Sequence, residues 1–514
     1  MNFKRCLKSM ILAVVLLFLA TAAGAQQPKY VFFFLGDGMS SSQIQATEAY
    51  LTTINGGSAM EAADLLEPEN RLNMSKMRVQ GMQTTYDAFA LMTDSASAGT
   101  AFACGVKTKS GTIGMDETLT NKLKSVAQLA HEQGKKVGIL SSVSLDHATP
   151  ASYYASVTSR GYMNSIATQL ADSGYEFFGG GGLASPEGSA RDGDTSENVW
   201  ALLKANGYEV LKDRKSILAL KDHPRDKVVC INPVLPGSAA MPYAIDKPAE
   251  NLSLAEMTEV AISTLYDGRR GRGRGRGGNE GFFIMVEGGK IDWACHANDA
   301  RATIGDMLDF DNAVGVALDF MRWHPRQTLI VVTGDHETGG MTIGHATTGY
   351  KAYYDRLLGQ TKSYENFEAN EWAAHKAVYA ESYNWTQEDN LKSNDKMLAL
   401  IDEVFGLVWE DLNDYQKEKL EDAYDMSLGG ENNNSTAENK YLYGGYNPII
   451  VTITHILNEH ASIGWTSYSH TGVPVPVFAE GPGAFRFAGF YDNTDIAKKL
   501  ASAMDIREDL PVYK

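Results

Sequence analysis

The sequence predicts an α/β fold in which a central, mostly parallel sheet is covered by helices on both faces. Apolar, strand-like segments alternate with helical segments from Tyr30 to about Gly344, and this alternation is typical of parallel sheets. Three of these segments, at 30–35, 281–286 and 328–333, are strongly apolar and end directly at acidic residues. Because ligands gather beyond the carboxyl ends of parallel strands, this pattern predicts one shared site there.

The same periodicity predicts the other main elements. Helices are expected over 121–133, 252–266, about 294–322 and about 493–504, and strands over 136–141 and 473–479. The long helix at 294–322 is expected to connect two of the three strongly apolar strands. We expect a single domain over 26–514, which accounts for most of the chain.

The composition changes between about 345 and 468, where Tyr, Trp, Asn and Glu dominate. Helical stretches are predicted near 395–408 and 416–424, and a polar break follows at 429–435. We interpret this region as a largely helical insertion or subdomain. It could cap the site or build a dimer contact, and we favour a dimer contact or the rim of the site.

The first 25 residues have the pattern of a secretory signal peptide. Lys4, Arg5 and Lys8 precede an apolar run at 10–19, and a small-residue cleavage site follows at 23–25. The apolar run is shorter than the ~20 residues that span a bilayer, so no membrane anchor is expected after its removal. The protein is predicted to be exported, to the periplasm or the medium.

The charge and cysteine content argue against a nonspecific nucleic-acid-binding or membrane-binding protein and against a disulfide-stabilised fold. Removal of the signal would move the formal net charge from −17 to −20, which disfavours nonspecific binding to nucleic acid or anionic membranes. Cys104, Cys230 and Cys295 would remain, and an odd number predicts no disulfide framework. An Arg-Gly repeat at 268–278 is expected to form an exposed loop, with polyanion binding as the alternative.

The acids at the strand ends indicate a metal site. Asp37, Glu287 and the pair Asp335-His336 follow the three strongly apolar strands. Carboxylates that crowd together need a compensating cation, and mixed Asp, Glu and His side chains are common metal ligands. The sequence therefore predicts a metalloenzyme.

Two further segments carry candidate chemistry. Ser95 is followed by small residues, which suits a serine at a helix N-terminus where free amides favour an anion, although such a serine is most often only a helix cap. Asp292 and His296 are spaced i, i+4 and would share one face of the start of the long helix. His470 precedes the returning strand and is a third imidazole candidate with His296 and His336.

These motifs together resemble the alkaline phosphatase family. The resemblance covers about 30–344 and 469–504, roughly two thirds of the chain. Five motifs occur in the family's order: Gly36-Asp37-Gly38-Met39, Thr93-Asp94-Ser95-Ala96, the segment from Ala148-Thr149-Pro150 to Arg160, Glu287 with Asp292 and His296, and Asp335-His336 with His470-Thr471-Gly472.

The resemblance implies two Zn²⁺ and one Mg²⁺ ion per chain. One zinc would be held by Asp292, His296 and His470. The second would be held by Asp37, Asp335 and His336. Asp37 would also bind the magnesium, together with Thr149 and Glu287.

The resemblance also implies the reaction, which is hydrolysis of small phosphate monoesters through a phosphoserine intermediate. Ser95 would be the nucleophile and Arg160 the bidentate clamp on the phosphate oxygens. His147 and Trp293 occupy positions at which other members carry Asp and Lys. These two would form a secondary shell that tunes magnesium binding and phosphate release. A homodimer is expected.

Other interpretations stay open from the sequence alone. A phosphodiesterase, a sulfatase or a phosphate mutase of the same broad fold is the nearest alternative. A non-catalytic metal store or polyanion receptor that uses the Arg-Gly repeat is a more distant alternative. Turnover of monoesters compared with diesters would separate the enzymatic alternatives.

Overall fold

A ten-stranded sheet forms the centre of the computed structural model, which describes residues 27–267 and 280–514. From one edge to the other, the strands are Gly489–Tyr491, Val79–Gln83, Val475–Glu480, Thr328–Gly334, Tyr30–Gly36, Phe282–Glu287, Lys136–Ser141, Phe177–Gly180, Val228–Ile231 and Glu209–Leu211. Val475–Glu480 runs antiparallel to both of its neighbours, and the other strands run in one direction. The predicted mostly parallel α/β sheet is confirmed.

The central strand Tyr30–Gly36 shows why the sheet is covered on both faces. All seven of its residues are buried. Alternate side chains of a strand point to opposite faces, so Val31 and Phe33 join one hydrophobic core while Phe32 and Phe34 join the other. A strand in this position must be apolar at every residue, as the sequence pattern indicated.

Helices cover both faces of the sheet and form most of the region predicted as an insertion, between the strands Thr328–Gly334 and Val475–Glu480. The α-helices are Ser41–Ile54, Ala62–Leu66, Ser95–Cys104, Val126–Glu132, Ala148–Ala151, Met163–Asp172, Val199–Ala205, Arg214–Ala219, Leu254–Leu265, Lys290–His296, Ala300–Trp323, Tyr364–Phe367, Ala373–Tyr379, Asp395–Phe405, Asp414–Gly429, Thr436–Tyr443, Pro448–His460 and Thr494–Ala503. Three pairs of two-residue strands lie outside the main sheet: Leu123–Lys124 with Val512–Tyr513, Glu337–Thr338 with His470–Thr471, and Thr342–Ile343 with Ile463–Gly464.

The long helix predicted at about 294–322 is present, but it starts later, at Ala300, and a separate short helix precedes it. Lys290–His296 ends before Asn298, whose φ of 52° lies in the left-handed region. Asp299 then accepts the amide of Ala302 at 2.9 Å and caps the second helix, Ala300–Trp323. Asp292 and His296 therefore lie on a short separate helix.

The helix predicted at 121–133 starts later than expected, at Val126. Leu123–Lys124 is extended because it pairs with Val512–Tyr513 at the end of the chain. Ser125 caps the helix Val126–Glu132 by accepting the amide of Gln128 at 3.1 Å. The local sequence was compatible with helix, and the distant strand decided the outcome.

The region predicted as an insertion contains the expected helices. Those near 395–408 and 416–424 lie at Asp395–Phe405 and Asp414–Gly429. They share a third hydrophobic core with Pro448–His460, and this core extends to the sheet domain through Tyr50 and Ile304. The boundaries of the insertion, 345 and 468, stay a prediction.

An ion pair joins this region to the short helix Lys290–His296. Lys290 is completely buried, and its Nζ lies 2.9 Å from Oε2 of Glu365 and 3.7 Å from the ring centroid of Tyr243. Burial lowers the pKa of Lys290, and the negative charge of Glu365 opposes this effect. The ion pair therefore compensates for a charge that has no access to water.

Three cysteines, Cys104, Cys230 and Cys295, are free and buried. None of the helices in the described part of the chain is long and apolar enough to cross a membrane. The predicted signal at 1–25 and the Arg-Gly repeat at 268–278 lie outside the described residues.

We expect Glu365→Ala to reduce the free energy of unfolding by about 1–3 kcal/mol, because it leaves the buried Lys290 charge without its partner. Glu132→Ala is the matched control, since it removes an exposed partner of Lys124 and should change stability by less than about 0.5 kcal/mol. The measurement is thermal unfolding of both variants with zinc and magnesium present.

The double variant Lys290→Met, Glu365→Ala tests the cause. It should recover part of the loss, because the buried charge is then replaced by an apolar side chain. Equal stability of Glu365→Ala and Glu132→Ala would contradict the interpretation.

Candidate metal centre

Three strands bring their terminal acids to one edge of the sheet. Asp37 and Asp335 each directly follow a strand, and Glu287 is the last residue of the strand between 282 and 287. The register pairs Gly36 with Gly334, so Asp37 and Asp335 lie at one level, and it pairs Leu35 with Glu287, so Glu287 lies two positions earlier along the strands. All three carboxylates are completely buried. The predicted convergence is what the structure shows.

A glycine turn allows this edge to approach the helix Lys290–His296. Gly38 has a φ of 75°, and a Cβ atom there would lie 2.9 Å from the Cα of Asp292. A side chain at this position would meet backbone that cannot move aside, and the backbone conformation itself favours glycine. The turn thus holds Asp37 close to the short helix.

Among the described residues, three groups of side chains have ligand atoms that lie within 4.8 Å of one another. They are Asp292 with His296 and His470, Asp37 with Asp335 and His336, and Asp37 with His147 and Glu287. Asp37 belongs to two of the groups. The first two groups contain the same residues as the two zinc sites that the family resemblance implied.

In the first group, two imidazoles face each other. Nε2 of His296 lies 3.1 Å from Nε2 of His470. Nδ1 of His296 lies 2.6 Å from the backbone carbonyl oxygen of Tyr468, and Nδ1 of His470 lies 2.7 Å from that of Thr93. A carbonyl only accepts hydrogen bonds, so Nδ1 carries the proton and Nε2 is free to bind a cation. Burial would lower the pKa of His296, but the charge of Asp292 outweighs it and raises the pKa to about 9. A proton at Nε2 then takes the place that a metal ion would occupy.

The second group has three buried polar atoms without a hydrogen-bond partner among the described residues. Nε2 of His336 lies 3.4 Å from Oδ1 of Asp37 and 3.3 Å from Oδ2 of Asp335, and these are the three atoms concerned. Burial and the neighbouring carboxylates raise the pKa of Asp37 and of Asp335. Burial lowers the pKa of His336. Such atoms are costly unless a cation binds them.

The third group contains two carboxylates, of Asp37 and Glu287, and one imidazole, of His147. Oε1 of Glu287 and Nδ1 of His147 are also buried and have no hydrogen-bond partner in the described part of the chain, while Oε2 of Glu287 accepts a hydrogen bond from Ser141. Burial raises the pKa of Glu287 to about 7. Oγ1 of Thr149 lies 3.5 Å from Oδ2 of Asp37, so Thr149 lies beside the third group.

The sequence analysis placed His147 in a secondary shell. In the structure it is a member of the third group of candidate ligands. Its position two residues before Thr149 was the available signal, because His147 precedes the helix that carries Thr149. Burial and the charge of Arg160 lower the pKa of His147 to about 3, so its ring is neutral and can bind a cation.

Ser95 begins the helix Ser95–Cys104, as predicted, and its side chain lies almost fully buried at that N-terminus. Asp94 caps the helix by accepting the amide of Ser97 at 3.0 Å. Nη1 of Arg160 lies 2.9 Å from Oδ2 of Asp94, and its Nη2 lies 3.3 Å from Nε2 of His147. The free amides of the helix and the guanidinium are suited to an anion.

The structure adds functional residues that the sequence analysis gave no role. Asp94 orients Arg160, and burial would raise the pKa of Asp94 but the charge of Arg160 and backbone amides lower it. Thr338 lies between two of the groups, with Oγ1 2.6 Å from Oδ1 of Asp292 and 3.2 Å from Nδ1 of His336. Asp94 belongs to the quoted motif Thr93-Asp94-Ser95-Ala96 and Thr338 lies two residues after His336, and these positions were their only signal.

Trp293, the other predicted member of the secondary shell, contacts the ring of His147. The two rings meet edge to face with centroids 5.8 Å apart. Nζ of Lys290 lies 4.7 Å from the centroid of Trp293. The tryptophan therefore connects the buried lysine to the histidine beside Arg160.

Comparison with known proteins agrees with this geometry. The family model for alkaline phosphatase matches residues 28–506. Alkaline phosphatase 3 of Bacillus subtilis is 31% identical over 486 residues, which cover 93% of this chain and 89% of that protein. The repressible alkaline phosphatase of Saccharomyces cerevisiae is 25% identical and matches 98% of this chain and 86% of that protein.

Solved structures give the same result. The cold-active alkaline phosphatase of a psychrophilic Shewanella species has a TM-score of 0.69 and 27% identity, and the match covers 92% of this chain and 99% of that chain. The alkaline phosphatase of Thermus thermophilus has a TM-score of 0.68 and 25% identity, with 96% of each chain covered. With the family model extending over nearly the whole chain, this protein belongs to the alkaline phosphatase family of phosphate monoester hydrolases.

Proposed function

We propose that this chain hydrolyses phosphate monoesters with two Zn²⁺ and one Mg²⁺ ion, through a phosphoserine at Ser95. The observation that supports the proposal is a set of buried polar atoms that have no hydrogen-bond partner among the described residues and that lie close to Arg160, which pairs with Asp94 next to Ser95. These atoms are Oδ1 of Asp37, Oε1 of Glu287, Oδ2 of Asp335, Nδ1 of His147 and Nε2 of His336.

The donor atoms fit the proposed ions. Imidazole with carboxylate suits zinc, and this is the composition of the two groups that contain Asp292 and Asp335. The group of Asp37 and Glu287, with Thr149 beside it, is richer in oxygen and suits magnesium, to which His147 would add one nitrogen. When bound, the ions supply Lewis acidity that stabilises negative charge on the reacting and departing oxygens.

The chain's own residues position the phosphoryl group. Arg160 would hold two of its oxygens, with Asp94 fixing the direction of the guanidinium. The amides at the start of the helix Ser95–Cys104 face the same anion. These contacts would place the phosphorus atom near the Ser95 hydroxyl.

The reaction then has two displacements. Oγ of Ser95 forms a bond to phosphorus while the bond from phosphorus to the alcohol oxygen breaks, and the serine proton is lost as the alcohol gains one. Water next attacks the phosphoserine from the opposite side, which releases inorganic phosphate and regenerates the hydroxyl of Ser95. Arg160 holds the phosphate oxygens through both steps.

We also infer a homodimer, as expected from the sequence. Exposed apolar side chains cluster near the segment that leads to Ser95, including Phe89 at 70% exposure and Leu91 at 63%. A Cβ at Gly472 would lie 2.8 Å from Leu91, so the neighbouring Val473 extends the same surface. Apolar patches of this kind mark protein–protein contacts.

Export through the signal at 1–25 is part of the same proposal. Its support is the pattern of basic, apolar and small residues in the sequence. Protein isolated from outside the cytoplasm should begin near residue 26.

Purified protein should hydrolyse 4-nitrophenyl phosphate at alkaline pH, and a chelator should abolish this activity. Zinc with magnesium should restore the activity, because the proposed reaction needs cations bound by the buried carboxylates and imidazoles. Release of 4-nitrophenol is the measurement, with bis(4-nitrophenyl) phosphate as the comparison. Turnover confined to the diester, or indifferent to the chelator, would overturn the assignment.

Ser95→Ala should lower kcat by at least about 1,000-fold, because it removes the attacking oxygen. Arg160→Ala should raise KM and the inhibition constant of phosphate by about 10- to 100-fold, since it removes charged hydrogen bonds. Acid quench and peptide mass spectrometry should find phosphate on Ser95 in the parent protein. Phosphate on another residue would refute the nucleophile assignment.

The apparent affinity for zinc and magnesium should fall as the pH falls from about 9 to 6. Metal-free protein holds protons on His296 below pH about 9 and on Glu287 below about 7, and each ion must displace them. Calorimetric titration in two buffers of different ionisation enthalpy measures the release. Affinity independent of pH would contradict the assigned protonation states.

A further inference from the structure

Aromatic side chains form an arc around the helix Lys290–His296. Nζ of Lys290 lies between the rings of Trp293 and Tyr243, 4.7 Å and 3.7 Å from their centroids. From Tyr243 the contacts continue to Tyr364 at 5.7 Å, from there to Tyr446 at 6.1 Å, and from Tyr446 to Tyr468 at 5.9 Å between centroids. We refer to Trp293, Tyr364, Tyr446 and Tyr468 as the aromatic arc.

Both ends of the aromatic arc touch the metal centre. The ring of Trp293 contacts His147, which lies beside Arg160. At the other end, the carbonyl of Tyr468 accepts the hydrogen bond from Nδ1 of His296 at 2.6 Å. Tyr446 lies between these ends, and burial and the charge of Asp292 raise its pKa. The arc is therefore continuous with the site.

The members of the arc differ from core aromatics in exposure. Tyr243, behind them, is completely buried, whereas Trp293, Tyr364, Tyr446 and Tyr468 are only partly buried. Partly exposed aromatic rings next to a polar site leave apolar area in contact with water. A ligand that covers this area would gain contacts that the free protein does not make.

Contacts hold the ring of Tyr468 and the backbone of Tyr446 in place. The hydroxyl of Tyr468 donates to the carbonyl of Leu442, and a Cβ at Gly444 would lie 2.2 Å from the ring of Tyr468. The amide of Tyr446 donates to the carbonyl of Tyr443 at 2.8 Å. Because the surface is fixed before binding, a ligand need not order it.

We propose that Tyr446, flanked by Tyr364 and Tyr468, forms a subsite for the alcohol portion of the substrate and favours planar aromatic alcohols. The inference rests on the proposed phosphomonoesterase function. With the phosphoryl group between Ser95 and Arg160, an alcohol group that extends outwards past His296 would meet the aromatic arc at Tyr468 and Tyr446. An aryl group can stack on these rings, whereas a small polyol presents no ring face.

The experiment compares Tyr446→Leu with the matched variant Tyr446→Phe in enzyme loaded with zinc and magnesium. For phenyl phosphate, kcat/KM should fall about three- to tenfold in Tyr446→Leu and by less than twofold in Tyr446→Phe, because only leucine removes the ring. For glycerol 2-phosphate, and for inhibition by inorganic phosphate, both variants should stay within twofold of the parent protein.

Equal losses on the two substrates, or no loss on either, would overturn the subsite. Failure of the parent protein to hydrolyse both substrates would instead overturn the proposed function, so the two failures are distinguishable. A fall in Tyr446→Phe as large as in Tyr446→Leu would show that the hydroxyl acts, not the ring.

A second measurement needs no variant and covers the case in which Tyr446→Leu does not fold. Phenylphosphonate and methylphosphonate are compared as inhibitors of the parent protein at a pH at which both are dianions. Phenylphosphonate should bind about three- to tenfold more tightly. Equal inhibition constants would overturn the proposal.

Discussion

Like charges buried together at the end of the sheet are the constraint on which the rest of this structure depends. Asp37, Glu287 and Asp335 have no access to water, and the parallel register prevents them from moving apart. Their mutual repulsion and desolvation are unfavourable unless cations are present. Much of the surrounding architecture can be understood as support for such cations. The turn at Gly38 brings the acids to the short helix, and backbone carbonyls hold the imidazoles with Nε2 directed inwards.

Features that depend on local pattern could be predicted from the sequence. A strand buried on both faces must be apolar throughout, so the three strands and the acids after them were visible in the amino-acid order. A serine followed by small residues indicated the N-terminus of the helix at Ser95. The division of the ligands into groups came from the resemblance to a family, because spacing alone does not specify which distant acid meets which histidine.

Features that depend on distant contacts could not be predicted. The break after His296 is stabilised by Asn298, whose backbone carbonyl accepts a hydrogen bond from Asn458 at 2.7 Å and whose side chain contacts His455 at 3.0 Å. No local periodicity reveals partners about 160 positions away. The same holds for the aromatic arc, whose tyrosines come from three separate segments, and for the pairing of Leu123–Lys124 with the end of the chain.

The break at 297–299 also links folding of the two parts of the chain. Asp299 caps the helix Ala300–Trp323 and, through its carboxylate, accepts the side-chain amide of Gln360 and the backbone amide of Tyr364 at 2.9 Å. The short helix with two candidate ligands thus shares one junction with the helical region. The proposed binding of ions at His296 would therefore also help to hold that region in place. Loss of metal would weaken both parts together, as one cooperative unit.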